Sequence, residues 1–423
     1  MKHYIYSERA DLFEPNIYIQ FLVQISGDFS SDDLISAVKK AFKANEVTMS
    51  RVVLEKTGTA YYEKMNESGC KVIFAQKEWL ELIRENEKIP FDLNKGELIR
   101  VFVISLDGKI SLLIMAHHLA GDGKSITYFL EDIMKALSGE NLEYKPLYLI
   151  TKDFFPKESK LPIYLKLYVN SFNRKWQHSG RSFTWDDYYN IHETYWKERR
   201  SQVIFETFSR EEIDRIRICA KEMGVTVNTY IITAFLKANS DNSTIGIAVD
   251  ARTDDNRSMS NQATGISVEH TYSENISFAE NARLVHQKIH KKLKNPVKKY
   301  FILQFIALFT PTLIDSILLH TYDLYQSKVS QKLAKVMGYK EGKTRELGIT
   351  NLTRLNIPDK YGPYKITDNL FIPPVVSYAK HIIGVSTTEK GMMISYHYMS
   401  NQDEAKERKF FKRAIKNIRI TNM

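Results

Sequence analysis

The segment 117–123, which reads His-His-Leu-Ala-Gly-Asp-Gly, constrains this chain more than any other. An apolar run at 110–116 predicts a strand before it, and apolar residues at helical spacing over 123–137 predict an amphipathic helix after it. The two histidines are therefore expected at a strand end, with Asp122 at the helix N-cap. Gly123 opens the helix, where backbone N–H groups have no partner within the helix.

Each of these residues suits a chemical role and also a structural one. An imidazole titrates near neutrality, so it can take a proton from a hydroxyl or an amine and return it to a leaving group. The N–H of Gly123, with no Cβ to block approach, can face a developing oxyanion. A lone histidine on an apolar strand is usually a core residue, and a lone Asp-Gly is usually a turn. The complete string in strand–loop–helix order is far more specific.

Strand-like and helix-like segments recur in both halves of the 423 residues, a length sufficient for two cores. The pattern predicts an α/β fold of two similar sandwiches: an N-terminal subdomain at 1–160, a crossover at 161–200 and a C-terminal subdomain at 201–423. Late in the chain, strands are expected at 348–352, 375–378, 384–388 and 392–398, and residues 250–265 are expected to form a polar loop.

Two apolar stretches leave alternatives open. Residues 161–176 alternate apolar and basic side chains, which fits a helix on a membrane surface but more often a linker helix that lies on its own protein. Residues 301–320 are strongly apolar, but polar residues and Pro311 interrupt them. A buried or tunnel-lining helix pair is favoured there over a surface-inserting segment.

The string 117–123 resembles the HHxxxDG signature of the CoA-dependent acyltransferase superfamily. This superfamily includes nonribosomal peptide condensation domains, alcohol acyltransferases, polyketide-associated acyltransferases and, more distantly, chloramphenicol acetyltransferase. Segments 90–104, 224–228 and 245–252 match in the same order, so the resemblance extends from about residue 17 to 398. It implies two chloramphenicol-acetyltransferase-like sandwiches with an active-site channel between them. No equivalent of the DFGWG motif of plant-type members is found, which argues against that branch.

The resemblance implies roles for the residues of the string. His118 is expected to be the general base that deprotonates the acceptor, and His117 is expected to orient the loop. Gly123 is expected to stabilise the tetrahedral oxyanion through its N–H. Asp122 is expected to point away from the substrate and to pair with Arg252 of the second half.

Two further residues are candidates for substrate binding. Ser125 can contact the substrate or form a hydrogen bond within the first helical turn, and capping is the favoured interpretation. Asn351, in the segment 349–352, is similar to a Ser-Asn-Leu segment near the acceptor channel of some members.

The implied reaction moves an acyl group from a CoA or carrier-protein thioester to a hydroxyl or amine acceptor, with no covalent acyl-enzyme. It needs no cofactor and no metal. The expected partners are a small-molecule acceptor, an acyl thioester and a separate acyl or peptidyl carrier protein, since these residues contain no carrier or adenylation segment.

The net charge of +10 suits an anionic partner such as a CoA phosphate, an anionic lipid surface or nucleic acid. Nucleic acid is not expected, because no zinc-finger or RNP-like motif is present and the basic residues are spread out.

The two cysteines, Cys70 and Cys219, lie far apart in no CxxC pattern, which fits a reducing compartment. No apolar signal segment is evident near the start. These features predict a cytoplasmic protein, with peripheral membrane contact left open.

Motifs of other catalytic and binding sites do not match the residue spacing of this chain. A P-loop would need glycine where His118 stands, and a zinc site at the two histidines lacks a third ligand. No GxSxG elbow of a serine hydrolase is present. The main alternative function is a non-catalytic, condensation-domain-like protein that binds a ligand or partner in the same channel. A third is a peripheral enzyme that modifies lipids.

Overall fold

The structure is a computed structural model that describes residues 2–238, 244–253, 255–339, 347–377, 379, 381–400 and 404–420. Within these ranges the chain is a mixed α/β protein. Its strands are β1 (Lys2–Tyr4), β2 (Tyr18–Ser26), β3 (Ser50–Leu54), β4 (Ala60–Lys64), β5 (Lys71–Ala75), β6 (Ile99–Leu106), β7 (Lys109–His117), β8 (Ser201–Ser209), β9 (Thr244–Asp250), β10 (Ala263–Glu269), β11 (Leu347–Arg354), β12 (Lys360–Tyr361), β13 (Tyr364–Ile372), β14 (His381–Thr387) and β15 (Gly391–Met399). Its helices are α1 (Arg9–Leu12), α2 (Ser31–Ala44), α3 (Trp79–Asn86), α4 (Gly123–Leu137), α5 (Ile163–Ser179), α6 (Trp185–Trp196), α7 (Arg210–Glu222), α8 (Val227–Ala238), α9 (Phe278–Leu293), α10 (Pro296–Lys299), α11 (Phe301–Ala307), α12 (Pro311–Thr321), α13 (Lys328–Met337) and α14 (Glu404–Ile420).

The first six-stranded sheet carries the histidine pair. Its strand order is β12-β13-β2-β7-β6-β5, and β2 and β6 flank β7 in antiparallel register. Helices α2 and α4 pack together, with the rings of Phe42 and Phe129 stacked at 5.5 Å. A capping box of Ser30 and Asp33 fixes the start of α2. Because β7 is an inner strand, its end is held from both sides.

The second half of the chain contributes to the first sheet and to its core. Strand β13 pairs with β2, with Ile372 opposite Gln20. Helix α12 packs on α1, where the buried Arg9 forms an ion pair with the buried Asp315. The division at residues 160 and 200 stays a prediction, and these contacts show how closely the two halves are joined.

The second six-stranded sheet has the order β10-β9-β11-β14-β15-β8. Strand β11 runs parallel to β9 and β14, and the other pairs are antiparallel. Helices α7, α8, α9 and α14 belong to this half, and the ring of Phe235 in α8 contacts Phe410 and Phe411 of α14. The predicted α/β fold of two sandwich subdomains is confirmed.

Two local predictions were wrong. Residues 375–378 form no strand in the part that the structure describes: Val376 makes an isolated bridge to Ala379, and Tyr378 lies outside the described residues. The strand of this region is β13, which ends before Pro373 because proline has no N–H to donate to a ladder. The loop expected at 250–265 is shorter, because Ala263 already pairs with Asp250 in the β9–β10 ladder.

The apolar stretch 301–320 forms two helices, α11 and α12, as predicted, and most of α12 is buried. Among the described residues no single helix is long and apolar enough to cross a membrane. Helices α11 and α12 meet the length and composition criteria only as a pair, and they are bent by 102° at their junction.

Candidate active site between the two halves

Backbone hydrogen bonds fix the histidine pair at the end of β7. The N–H of His117 donates to the carbonyl of Leu98 at 3.0 Å, and the N–H of His118 donates to the carbonyl of Ile17 at 3.1 Å. A short 3₁₀ turn, His118–Ala120, then leads to Gly121. Gly121 has a φ of +148°, and a Cβ there would lie 2.5 Å from Ser125 Cβ, so the turn requires glycine.

His117 is fully buried and stabilises the turn that follows it. Its Nδ1 accepts a hydrogen bond from the N–H of Leu119 at 3.2 Å, and its ring packs against Tyr18 and Phe91. Burial, and then the neighbouring His118 and His192, lower the pKa of His117 well below its usual range. His117 is therefore neutral at pH 7 and suited to holding the turn rather than to exchanging protons.

His118 is partly exposed, unlike its neighbour. Its Nδ1 is buried and has no hydrogen-bond partner within the described ranges. Nε2 is therefore the ring nitrogen available to a substrate. A half-buried imidazole at a strand end can accept a proton from a hydroxyl or an amine.

Asp122 and Arg252 form an ion pair that joins the two halves. Arg252 Nη1 donates to Asp122 Oδ2 at 2.8 Å, and Nη2 donates to Oδ1 at 3.1 Å, a bidentate arrangement. The side chain of Arg252 is only 4% exposed and that of Asp122 only 6%. Although burial opposes its charge, Asp122 and then Asp250 raise the pKa of Arg252 above its usual value. Asp122 thus points toward the second half of the chain.

Backbone donors complete the surroundings of this carboxylate. Asp122 is the N-cap of α4, where Oδ1 accepts from the N–H of Ser125 at 2.9 Å. Its Oδ2 accepts from the N–H of Gln262 at 2.9 Å. With four donors, two of them on a guanidinium, the buried charge is well compensated.

Ser125 bridges the halves as well. Its hydroxyl donates to the carbonyl of Ser260 at 2.7 Å and accepts from Arg252 Nη2 at 2.9 Å. It is completely buried, so in this conformation it holds the 251–262 loop against α4. The candidate role of Ser125 in substrate binding stays a prediction.

Gly123 lies under two apolar side chains. A Cβ at this position would be 2.7 Å from Leu352 Cδ2 and 3.1 Å from Phe371 Cζ, so a larger residue would have to displace the ends of these side chains. Leu352 belongs to β11 and Phe371 to the crossing strand β13. Glycine therefore allows close packing of these two side chains on the start of α4, and its predicted role toward an oxyanion stays a prediction.

Asn351 lies in β11, next to Leu352, and its hydrogen bonds are to residues other than the histidines. Its Nδ2 donates to Asn228 Oδ1 at 3.0 Å, and its Oδ1 accepts from the N–H of Thr353 at 2.7 Å. A cavity of about 290 Å³ opens beside this segment, and residues of α4 and of 352–356 line it: Lys124, Thr127, Tyr128, Leu352, Thr353, Arg354, Leu355 and Asn356. His118 is not among these residues, and Leu352 lies both on the cavity wall and over Gly123.

Two acidic residues near His118 were missed by the sequence analysis. Asp11 Oδ2 accepts from Asn261 Nδ2 at 2.9 Å, and Glu8 Oε1 accepts from the N–H of Asn261 at 3.1 Å. Burial raises the pKa of Asp11, and the charge of His118 opposes that shift, so the two groups interact electrostatically. The four-residue helix α1 gives no periodic signal, and only the spacing of the two acids could have suggested them.

Tyr62 connects this acidic pair to the histidine turn. Its hydroxyl lies 2.8 Å from the carbonyl of Leu119 and 3.2 Å from Glu8 Oε2. Burial, and then the nearby Asp11, raise the pKa of Glu8 to about 8. Glu8 is therefore largely protonated at pH 7. Among the described residues, no group of three or more His, Cys, Asp or Glu is placed to hold a metal ion.

Curated relatives match only part of the chain, and no protein-family model matches it. The hybrid PKS-NRPS synthetase xenE of Xenoacremonium sinensis is 30% identical over 132 residues, which is 28% of this chain and 3% of that protein. The hybrid PKS-NRPS synthetase thnA of Trichoderma harzianum is 26% identical over 135 residues, 30% of this chain and 3% of that protein. The chain thus spans a small fraction of these relatives.

Solved structures match almost the whole chain. The first condensation domain of the CDA synthetase has a TM-score of 0.66 at 11% identity, covering 100% of this chain and 95% of that one. The condensation domain of the polyketide synthase MokA has a TM-score of 0.62 at 12% identity and covers 100% and 98%. Polyketide synthase associated protein 5 from Mycobacterium tuberculosis has a TM-score of 0.62 at 13% identity and covers 99% and 97%. At these identities the likeness shows the fold.

Proposed function

We propose that this protein, which has the fold of the condensation domains of the CoA-dependent acyltransferase superfamily, transfers an acyl group from a thioester to a hydroxyl or amine acceptor. The observation that supports this most directly is the state of His118. Its ring is partly exposed at the end of an inner strand, while the adjacent loop is anchored to the second half by Asp122 and Arg252. A base held in this way contributes about 10²–10⁴-fold to a rate.

The proposed reaction is direct transfer. Nε2 of His118 accepts the proton of the acceptor O–H or N–H while the acceptor atom attacks the thioester carbonyl carbon. The tetrahedral intermediate collapses as the C–S bond breaks, and the imidazolium returns the proton to the departing thiolate. The products are the acylated acceptor and a free thiol, and no acyl group is attached to the protein.

The donor is proposed to be a CoA or carrier-protein thioester. The cavity beside α4 is the candidate entrance for it, because two basic residues lie on its wall. Lys124 forms an ion pair with Asp250 and Arg354 pairs with the exposed Glu389, so an anionic donor would compete with these carboxylates. The relatives that match in sequence are PKS-NRPS synthetases, which favours a carrier-bound donor. Leu352 lines this cavity and also packs on Gly123, so we propose that movement of its side chain opens the way toward the histidine turn.

The test is thiol release from acyl-CoA and acyl-carrier thioesters with a panel of alcohols and amines. His118→Ala is expected to lower kcat/KM by about 10²–10⁴-fold. His178→Ala, which removes an exposed histidine on α5, is the matched control and should keep full activity. Undiminished turnover in His118→Ala would rule out this residue as the base.

A second candidate function is ligand or partner binding without catalysis. The packing of Leu352 and Phe371 against Gly123 favours it, since these side chains occupy the space next to the Gly123 N–H that a reacting acyl group would need. Solved structures of this fold also include the epimerization domain of tyrocidine synthetase B, with a TM-score of 0.62, so the fold does not select one reaction. Leu352→Ala separates the two candidates: increased thiol release supports the enzyme, and no release with any donor supports the binding protein.

A further inference from the structure

Helix α5 is fixed to the body of the protein by one face. Val169, Phe172 and Trp176 are buried, and Trp176 Nε1 donates to Thr312 Oγ1 at 2.8 Å. Asn173 Nδ2 donates to the carbonyl of Leu308 between α11 and α12 at 2.9 Å. The helix therefore has a defined orientation, and its opposite face is held toward solvent.

That opposite face is apolar over its first two turns. Ile163 is 75% exposed, Tyr164 66%, Leu167 59% and Tyr168 38%. Positions i, i+1, i+4 and i+5 share one side of a helix, so these four side chains form one patch, called here the α5 outer face. Single exposed apolar residues are ordinary, but a contiguous patch marks a binding surface.

The charge around the α5 outer face is positive. From residue 159 to 185 the sequence has no Asp or Glu and five basic residues: Lys160, Lys166, Arg174, Lys175 and Arg181. Lys160, Lys166 and Arg174 are exposed, and none of them forms an ion pair with a described residue. A partner for this surface must therefore offer both negative charge and an apolar layer.

A row of mostly buried aromatic rings connects α5 to α11. Tyr168 contacts Phe172, which contacts Phe309, and Phe309 contacts Phe305, which stacks on Phe301 at 5.2 Å. Phe301 is itself 36% exposed. Helix α5 is therefore packed, through these rings, on the bent apolar pair α11–α12, whose first residue also reaches the surface.

We propose that the α5 outer face binds the surface of a bilayer that contains anionic phospholipids. Isoleucine and leucine side chains insert below the headgroups, the two tyrosines lie at the headgroup level, and the basic side chains meet the lipid phosphates. This inference goes beyond the proposed acyl transfer, because it assigns a location at which the reaction takes place and does not depend on His118.

The experiment is co-sedimentation of the full chain with phosphatidylcholine vesicles, with and without phosphatidylglycerol. The wild type is expected to bind the phosphatidylglycerol vesicles and to be released at high salt, because the Debye length shortens. Ile163→Ser with Leu167→Ser, and separately Lys166→Glu with Arg174→Glu, should each weaken binding about tenfold or more. Ile89→Ser with Ile218→Ser is the matched control, since these side chains are 50% and 57% exposed elsewhere.

Circular dichroism and the Tm verify that each variant is folded, which is expected because the changed side chains are exposed. Wild-type binding that both α5 variants retain would overturn the proposal, and so would a wild type that does not bind. A different result would assign the surface to the carrier protein instead. In that case the wild type does not bind vesicles, and the α5 variants lose transfer from a carrier protein in an assay without vesicles.

Discussion

The two halves of the molecule are similar in architecture but supply different parts of the site. In the first sheet β7 ends in the histidine pair, whereas in the second sheet β9 ends in Asp250 and leads to Arg252. The loop 251–262 then contacts the start of α4 through Ser260 and Gln262. The first half thus carries His118, the candidate base, and the second half anchors the loop that follows it.

The hydrophobic cores of the two halves also differ in which parts of the chain contribute to them. The second core contains residues from 208 to 418 and none from the first half, while the first core also contains residues of α11–α13 and β13. Strand β13 adds Phe371, which packs over Gly123. Segments of the second half therefore pack in the core of the first half, and substitution of single contact residues can test the importance of this packing.

Breaking the ion pair between the halves should have the largest effect. Arg252→Met leaves Asp122 buried without its cation, so we expect a loss of about 3–5 kcal/mol in the free energy of unfolding, measured in urea. Arg217→Met removes an exposed ion pair with Asp214 and should cost about 0–1 kcal/mol. Asp122→Asn with Arg252→Met should recover part of the loss. An equal loss in the free energy of unfolding for Arg252→Met and Arg217→Met would show that other contacts join the two halves.

Asp11 tests whether the first half also supports its own histidine. The buried Asp11 interacts electrostatically with His118, and Asp11→Asn removes the carboxylate while keeping the size of the side chain. The imidazolium that forms on His118 in the proposed transfer then lacks this nearby negative charge, so kcat/KM is expected to fall by about tenfold or less. The exposed Asp28→Asn is the control. Equal kcat/KM values for Asp11→Asn and Asp28→Asn would show that Asp11 does not support the reaction.

The strand–loop–helix around the histidines could be predicted from sequence, because apolar spacing at 110–116 and 123–137 is regular and Asp122 is a strong N-cap. The partner of Asp122 came from the family resemblance, since nothing local to Arg252 marks it. Strand β13 was missed because its pairing with β2 joins residues more than 300 positions apart. Glu8 and Asp11 were missed for the same reason: their contacts to Asn261 exist only after the halves assemble.

Glu8 in the first half should have a smaller effect, on the pH dependence of stability. Its pKa of about 8 lies above the usual 4.5, so the folded state holds this proton more tightly than the unfolded state does. The stability that this provides is complete below about pH 4.5 and is lost as the pH rises to about 8. Glu8→Gln should therefore reduce the fall in Tm between pH 5 and pH 8. Some fall should remain, because burial also raises the pKa of Glu14, to about 7. The exposed Glu67→Gln should follow the wild type, and parallel curves for Glu8→Gln and the wild type would mean that Glu8 does not titrate in this way.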